Sequence, residues 1–365
     1  MILFQIIQKP QKRGAEIFAA QLSEHFEKLG HTVILISLFE GVSELPFSGK
    51  KIQLNRPISK RWYDYEAWLQ IARLVKEFKP DIIQCNAGDT LKFIILSKLF
   101  FGWKVPVIAR NASTVSNYIK STPTKIINHF FYKKVDAIIS VSKFSAEDIN
   151  ILFPSTKKKT FVIPIGIDEK ITNHVEWKNQ LNNSINVVHV GGFTFEKNHL
   201  GLLRIWKLFL ESKPNAILHL LGDGPMKQKI EEEVVKMNLS DTIIFYGWTG
   251  NPLDYIIKAD MLVLPSIIEG LPGVLLESMY CRTPVVANDV GGINEIIEHK
   301  QTGFLVKKND ELNFVKSMQE VLTIDNMVNE KAYQQVVNHY TNKSIAKDFE
   351  KTYTIILKQK LNYAI

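Results

Sequence analysis

The sequence predicts an α/β protein of two domains, each built on a parallel sheet. Three observations carry this. A length of 365 residues with 45% apolar and 22% charged residues is that of two ordinary domains with real cores. Short apolar runs alternate with amphipathic segments along the chain, as strands alternate with helices over a parallel sheet. The run Met261-Leu262-Val263-Leu264-Pro265 reads as a strand buried on both faces that leads through a glycine-bearing turn into a helix.

In chain order, the first half suggests strands at 2–7, 32–38, 81–85, 105–109 and 137–141, where apolar residues run with little charge. Between them, 17–29 carries Phe18, Leu22, Phe26 and Leu29 at helical spacing and stops at Gly30, a residue suited to a helix end. Further helices are expected at 64–78, 91–101, 125–134 and 145–153. Residues 40–59 are polar and weakly patterned, a long loop or a small edge element. The three lysines within 154–160 mark a composition shift just ahead of 161–168. Residues 173–183 are polar and without pattern. The second half alternates more cleanly, with strands at 186–190, 217–221, 243–246, 261–265, 284–287 and 304–306. Helices are expected at 200–211, 226–237, 252–258, 273–280 and 293–299, and from 312 onward.

Composition narrows the function. Cys85 and Cys281 show neither metal-ligand spacing nor a disulfide framework, which suits a reducing cytosol. The first seven residues are apolar but too few for a signal peptide and lack a basic leader. The apolar stretch 93–103 is broken by Lys98 and too short to span a bilayer. The net charge of +8 is lopsided: residues 1–165 hold 24 Lys/Arg against 13 Asp/Glu, and the remainder 21 against 24. A basic half suits nucleic acid, an anionic membrane or an acidic substrate. No nucleic-acid-binding motif accompanies it, so no nucleic acid is expected. No Asp-x-Asp pair occurs and the nine histidines are scattered without ligand spacing, so no metal and no cofactor is expected.

The chemistry gathers where strands turn into helices. Pro272 suits a first helical position, which makes the amides around Gly270, Leu271, Gly273 and Val274 the unpaired donors of a helix N-terminus, an anion site. Glu269 lies just before that helix and Glu277 about one turn into it. A carboxylate accepts two hydrogen bonds and a vicinal diol offers two. Two acids flanking an anion site therefore suit a diphosphate with hydroxyl-rich groups on both sides, which describes a nucleotide-sugar. Gly191-Gly192-Phe193-Thr194-Phe195-Glu196-Lys197 is a second strand-to-helix turn, where glycine lets backbone approach phosphate and Lys197 supplies a point charge. Gly222-Asp223-Gly224-Pro225 ends another strand. Trp248 at a further strand end stacks on a base or fills the core. Arg13 and Gly14 form a polar loop after the first strand, with Arg13 a candidate phosphate contact.

Glu269-Gly-Leu-Pro-Gly-Val-Leu-Leu-Glu277, followed by Pro284-Val-Val-Ala-Asn-Asp-Val-Gly-Gly-Ile-Asn-Glu295, resembles the E-x7-E signature of family 4 retaining glycosyltransferases. The likeness is strong over 187–306 and weaker over the first half. It implies the GT-B fold: two facing Rossmann-like domains with a deep cleft between them. Residues 1–165 would bind acceptor, 166–343 the nucleotide-sugar donor, 161–168 resembles the family's linker between them, and a helix in 344–365 would cross back to the first domain. The implied activity is metal-independent hexosyl transfer with retained configuration to a glycan or lipid-linked acceptor in bacterial cell-envelope polysaccharide assembly. An epimerase-type GT-B enzyme or a non-catalytic nucleotide-sugar-binding protein is the alternative, although relatives of the epimerase kind lack the Glu269–Glu277 arrangement.

The same resemblance assigns roles. Glu269 and Lys197 would act at the transferred sugar and the diphosphate, Glu277 on the ribose diol, and Gly14, Arg13, Gly222 and Trp248 around the donor. Gly192 stands where relatives carry a phosphate-binding arginine. Gln84-Cys85-Asn86 stands where relatives often carry His-x-His. Arg110 and Asn111 occupy the loop where many place a histidine near the reacting sugar. Asn86 and Asn111 can serve there only as neutral donors and acceptors. The family is thought to use the leaving phosphate oxygen as base, which makes that change tolerable. Because many relatives use lipid-linked acceptors, a cytoplasmic protein resting on the inner face of the plasma membrane is expected. The surface expected to meet anionic lipid is 91–103, with Phe93, Phe100, Phe101 and Trp103 beside Lys92, Lys98 and Lys104.

Overall fold

The computed structural model describes residues 1–60, 63–169 and 184–362; the patternless stretch 173–183 lies outside them. The chain forms two compact units, Met1–Asp168 with Asn342–Ile365, and Glu169–Thr341.

The first unit holds strands β1 (Ile2–Ile7), β2 (Thr32–Phe39), β3 (Lys50–Arg56), β4 (Ile82–Cys85), β5 (Val107–Asn111), β6 (Ala137–Ser140) and β7 (Thr160–Val162). They form one parallel sheet in the order β3-β2-β1-β4-β5-β6-β7. Five helices connect them: α1 (Gly14–Lys28), α2 (Tyr65–Phe78), α3 (Gly88–Phe101), α4 (Thr122–Lys134) and α5 (Lys143–Leu152). The central strands are buried on both faces, which is why they read as unbroken apolar runs. One core layer packs Phe4, Ile6, Ile36 and Ile83 under α2 and α3. The opposite layer is closed partly from the far end of the chain. Phe349 and Tyr353 pack on Phe26 with ring centres 6.3 and 5.6 Å apart. Tyr353 also donates its hydroxyl to Gln84 Oε1 at 2.6 Å.

Of the two readings of 40–59, the small edge element holds for 50–56, which pairs with β2 as an edge strand. The expected linker 161–168 begins as β7, which completes the sheet beside β6. The lipid-facing surface expected at 91–103 also fails. Phe93 is core at 1% exposure, Phe101 and Trp103 pack against the core, and only Leu99 and Phe100 stand out. Two of its three lysines are engaged as well: Lys98 bonds Asp136 at 3.0 Å and Val105 O at 2.9 Å, and Lys92 lies 3.8 Å from Asp89. Helical periodicity could not separate a face turned to lipid from one turned to the sheet.

The second unit holds β8 (Ile185–Val190), β9 (Ala216–Leu221), β10 (Ile243–Gly247), β11 (Met261–Leu264), β12 (Val285–Asn288) and β13 (Phe304–Val306), parallel in the order β10-β9-β8-β11-β12-β13. Its helices are α6 (His199–Ser212), α7 (Lys227–Lys236), the single turn α8 (Leu253–Ile256), α9 (Gly273–Tyr280), α10 (Glu311–Val321) and α11 (Asn326–His339). The last helix, α12 (Asn342–Asn362), belongs to the first unit. The helix expected at 293–299 is only a 3-10 turn, Ile293–Glu295. Glu298 N–H bonds Thr302 Oγ1 and His299 bridges Gly303, so the chain turns toward β13 before a second helical turn forms. In both units the loops after the strands collect on the sheet's C-terminal edge, where such folds bind ligands.

Candidate active site

In the second unit the loops at that edge are stitched to one another by backbone. Gly191 N–H bonds Leu221 O, Phe193 N–H bonds Asp223 O, Ile267 N–H bonds Glu196 O and Gly292 N–H bonds Gly270 O, all between 2.8 and 3.0 Å. Glycine is required at two of these crossings. Gly222 has φ +139° and a Cβ there would lie 2.0 Å from Gly191 O; Gly291 has φ +60° and a Cβ would lie 2.1 Å from Glu269 O. Asn198, itself left-handed, caps α6 by accepting from Gly201 N–H and donates to Pro265 O at 3.0 Å. The loop bearing Lys197 and the loop bearing Glu269 are thereby one rigid assembly.

That assembly brings Lys197 and Glu269 together. Nζ lies 2.6 Å from Oε1, and both side chains are largely buried. Beyond Glu269, α9 begins at Gly273. Pro272 is its N-cap, with extended backbone, and not its first helical residue as expected. Among the described residues, the amides of Gly270, Leu271, Gly273 and Val274 donate to no other group. Four donors at a helix N-terminus beside an ammonium group constitute an anion site.

Glu277, the fifth residue of α9, is half-buried and has no hydrogen-bond or ion-pair partner among the described residues. Burial pushes its pKa up to about 7. A desolvated, unpartnered carboxyl is ready to accept the two hydroxyls of a diol. Trp248, after β10, is 43% exposed, which rules out its alternative as a core residue. Gly192 lies in the loop beside Asp223 O, 3.6 Å from where its Cβ would stand.

Sequence reasoning missed two residues. His199 stacks on Phe193 with ring centres 4.1 Å apart and meets His189 edge-on at 4.8 Å, directly beneath the loop that carries Lys197. Burial holds both rings neutral, pushing His189 down to about 4 and His199 down to about 2. They therefore support the loop without adding charge next to Lys197. They sit at a strand end and a helix start, ten positions apart, and no spacing rule would have joined them.

The first unit carries the remaining candidates. Arg13 is the N-cap of α1, whose first residue is Gly14. Arg110 on β5 is 7% exposed and lies over the Phe18 ring, 4.2 Å from its centre. Its Nη1 has no hydrogen-bond partner, and burial pushes its pKa down to about 10, opposed by the nearby charge of Glu16. Asn111 donates its amide to Ser140 Oγ at 3.2 Å and Ser145 O at 3.0 Å. Asn86 donates to Gln5 Oε1 and Ile6 O and accepts from Gln84. Both asparagines thus hold the sheet edge with their amide hydrogens, while Arg110 keeps an uncommitted donor.

Residues 12–170 match the model of glycosyltransferase family 4, and residues 172–338 that of glycosyl transferases group 1. The chain belongs to the family 4 glycosyltransferases. This glycosyltransferase is 30% identical over 237 residues to an uncharacterized glycosyltransferase of Methanocaldococcus jannaschii, a match spanning 60% of this chain and 58% of that protein. It is 27% identical over 270 residues, 71% of this chain and 70% of the other, to the N-acetylgalactosamine-N,N'-diacetylbacillosaminyl-diphospho-undecaprenol 4-alpha-N-acetylgalactosaminyltransferase of Campylobacter jejuni. Its fold matches that of Anabaena HepE, solved in complex with UDP and glucose, at TM-score 0.81 and 17% identity over 97% of this chain and 99% of that one. The fold class is therefore GT-B, with two Rossmann-like α/β units.

Proposed function

We propose that this glycosyltransferase moves a hexose from a nucleoside-diphosphate sugar to a glycan or lipid-linked acceptor, with retained configuration and without a metal ion, in cell-envelope polysaccharide synthesis on the cytoplasmic side. The observation that supports it is the Lys197–Glu269 pair beside the open amides of α9, with Glu277 unpartnered on the same helix. A diphosphate would meet those amides and Lys197, and the negative charge that grows on it as the sugar leaves would be held by donors already in position. Glu277 accepts the ribose diol. Glu269, once Lys197 turns to phosphate, is left to accept hydroxyls of the sugar. Lys197 and the helix end supply the positive field that a divalent ion supplies elsewhere. The lipid-linked acceptor is supported by the diphospho-undecaprenol substrate in the name of the Campylobacter relative.

The test is a thermal-shift panel of UDP-, GDP-, ADP- and CMP-sugars, followed by NMR of the product anomer. A true donor at a hundredfold excess over Kd raises stability by about 2.7 kcal/mol. No shift with any nucleotide-sugar would sink the reading. An inverted product would sink its stereochemical part, and loss of activity in EDTA restored by Mg²⁺ or Mn²⁺ its metal-independent part.

A further inference from the structure

The first unit holds a cavity of about 480 Å³ where β1, β2 and β3 meet the loop that follows β2. The strand register builds it. Ile7 pairs with Ser37 and Ser37 with Gln53, so the three stand in one row on the same face of the sheet. Leu35 and Lys51 stand side by side two residues earlier on the same face. The loop after β2 is the roof, and it is fixed in place. Its Leu45 and Phe47 are buried in the core beside α1. Ser43 N–H bonds Pro10 O at 3.3 Å, and Ser48 N–H bonds Glu24 of α1 at 3.0 Å. Ser37 lines the cavity and is 3% exposed, yet its Oγ has no hydrogen-bond partner among the described residues. Glu44, Lys51 and Gln53 line the exposed rim, and among the described residues their side chains form no hydrogen bond or ion pair.

We infer that this cavity is a subsite for one sugar residue of the acceptor glycan, and not for the residue that receives the hexose. The lining decides the chemistry. A hydrocarbon occupant would leave the buried Ser37 hydroxyl without a partner. An anion would meet one ammonium group, Lys51, opposed by the carboxylate of Glu44, and no helix N-terminus lies in the lining. Sugar hydroxyls both donate and accept. They serve Ser37 and Gln53 in either sense, accept from Lys51 and donate to Glu44. The C–H face of the ring rests on Ile7 and Leu35. The volume lies within the range of roughly 300–1,000 Å³ common for small-molecule sites. Position separates this sugar from the reacting one. Ser37 lies on β2 and Arg110, in the loop where the resemblance places the reacting sugar, on β5. The two strands are three apart in the sheet, about 14 Å at the usual spacing. A single sugar ring does not span that distance, so the acceptor is an oligosaccharide or longer. That the sugar belongs to an acceptor rests on the transfer proposed above; that the cavity takes a sugar does not.

The experiment is a saturation-transfer NMR titration of the full chain with the methyl α-glycosides of glucose, galactose, N-acetylglucosamine and N-acetylgalactosamine. Octanoate and inorganic phosphate serve as competitors. At least one glycoside is expected to bind, and neither competitor to displace it. Ser37→Ala and, separately, Gln53→Ala should each weaken binding about three- to tenfold, the value of one hydrogen bond. Tm should stay level or rise in Ser37→Ala, which removes an unpartnered buried hydroxyl; a purely structural serine would move Tm and not affinity. Arg110→Met should leave glycoside affinity unchanged. No binding of any glycoside, binding indifferent to Ser37→Ala and Gln53→Ala, or displacement by octanoate or phosphate would each overturn the sugar assignment. Weakening by Arg110→Met would overturn the separation from the reacting end. If no glycoside binds while a nucleotide-sugar still raises Tm, the enzymatic reading stands alone; if a glycoside binds through Ser37 and no nucleotide-sugar shifts Tm, the reverse is true.

Discussion

Lys197 Nζ stands 2.6 Å from Glu269 Oε1, although the two residues are 72 positions apart and leave different strands. The bond between Ile267 N–H and Glu196 O, two residues before Glu269 and one before Lys197, ties their loops together. The pair ties Lys197 to the residue that leads into the turn before α9.

Lys197→Ala is therefore expected to remove a charged hydrogen bond to the donor and to leave Glu269 without its counter-charge. Bonds to charged groups are worth about 1.5–3 kcal/mol, so kcat/KM should fall roughly ten- to a hundredfold. Glu269→Gln should act mainly on kcat and leave free nucleotide binding nearly intact. Steady-state kinetics on both variants decides this, and a loss under threefold for Lys197→Ala would assign diphosphate neutralisation to another residue.

The backbone crossing under Glu269 makes a separate prediction. Gly291→Ala would combine a left-handed φ of +60° with a Cβ 2.1 Å from Glu269 O. Strain of that kind costs about 1–3 kcal/mol, several degrees of Tm for a unit of this size. Donor binding should weaken with it, since Glu269 is what must move. Gly14→Ala is the contrast: it opens α1 with nothing within 4 Å of a new Cβ, so Tm should hold or rise slightly. Calorimetry of the two variants separates these outcomes, and equal Tm values would show that the crossing tolerates a Cβ.

The parallel strands and the E-x7-E turn were legible because both write themselves locally: apolar runs of strand length, glycines where backbones cross, acids at a helix start. What was not legible depended on contacts distant in sequence. Phe93 reads as surface or core equally well until β4 and β5 are placed against α3. Pro272 as N-cap instead of first helical residue turns on one ψ angle. Asn86 and Asn111 looked like ligand donors because the resemblance places them where relatives carry histidines. The structure commits their amides to Gln5, Ile6, Ser140 and Ser145. The His189–His199 pair left no mark in spacing because strand and helix meet there only in three dimensions.

Glu277 predicts a pH dependence. Its pKa is raised from 4.5 to about 7 by burial, so the folded state holds this proton more tightly than the unfolded chain. Stability from this group is therefore greatest at low pH and declines as pH rises from about 4.5 to 7. Nucleotide binding runs the other way, because the carboxylate that accepts both diol hydroxyls exists above about 7 and the acid below it accepts poorly. Affinity for free nucleotide should fall by up to tenfold per pH unit below 7. Glu277→Gln should bind weakly at all pH values, with a flat profile, and should raise the Tm of the unliganded protein at pH 8 but not at pH 4. Titration calorimetry across pH checks it; a wild-type profile with no inflection near 7 would remove Glu277 from the ribose.

Arg110 offers the sharpest separation of ligand contact from scaffold. Its guanidinium is buried over Phe18, with Nη1 unbonded. A buried donor without an acceptor costs roughly 1–3 kcal/mol. A purely structural site would relieve that cost with an apolar residue of the same length. Arg110→Met keeps the packing on Phe18 and removes the charge, so Tm should stay level or rise. If Nη1 serves substrate, transfer to acceptor should fall at least tenfold while the nucleotide-induced Tm shift survives, because the donor acids and Lys197 belong to the other unit. The opposite pattern, a Tm several degrees lower with kcat unchanged in the folded fraction, would make Arg110 a strut between β5 and α1.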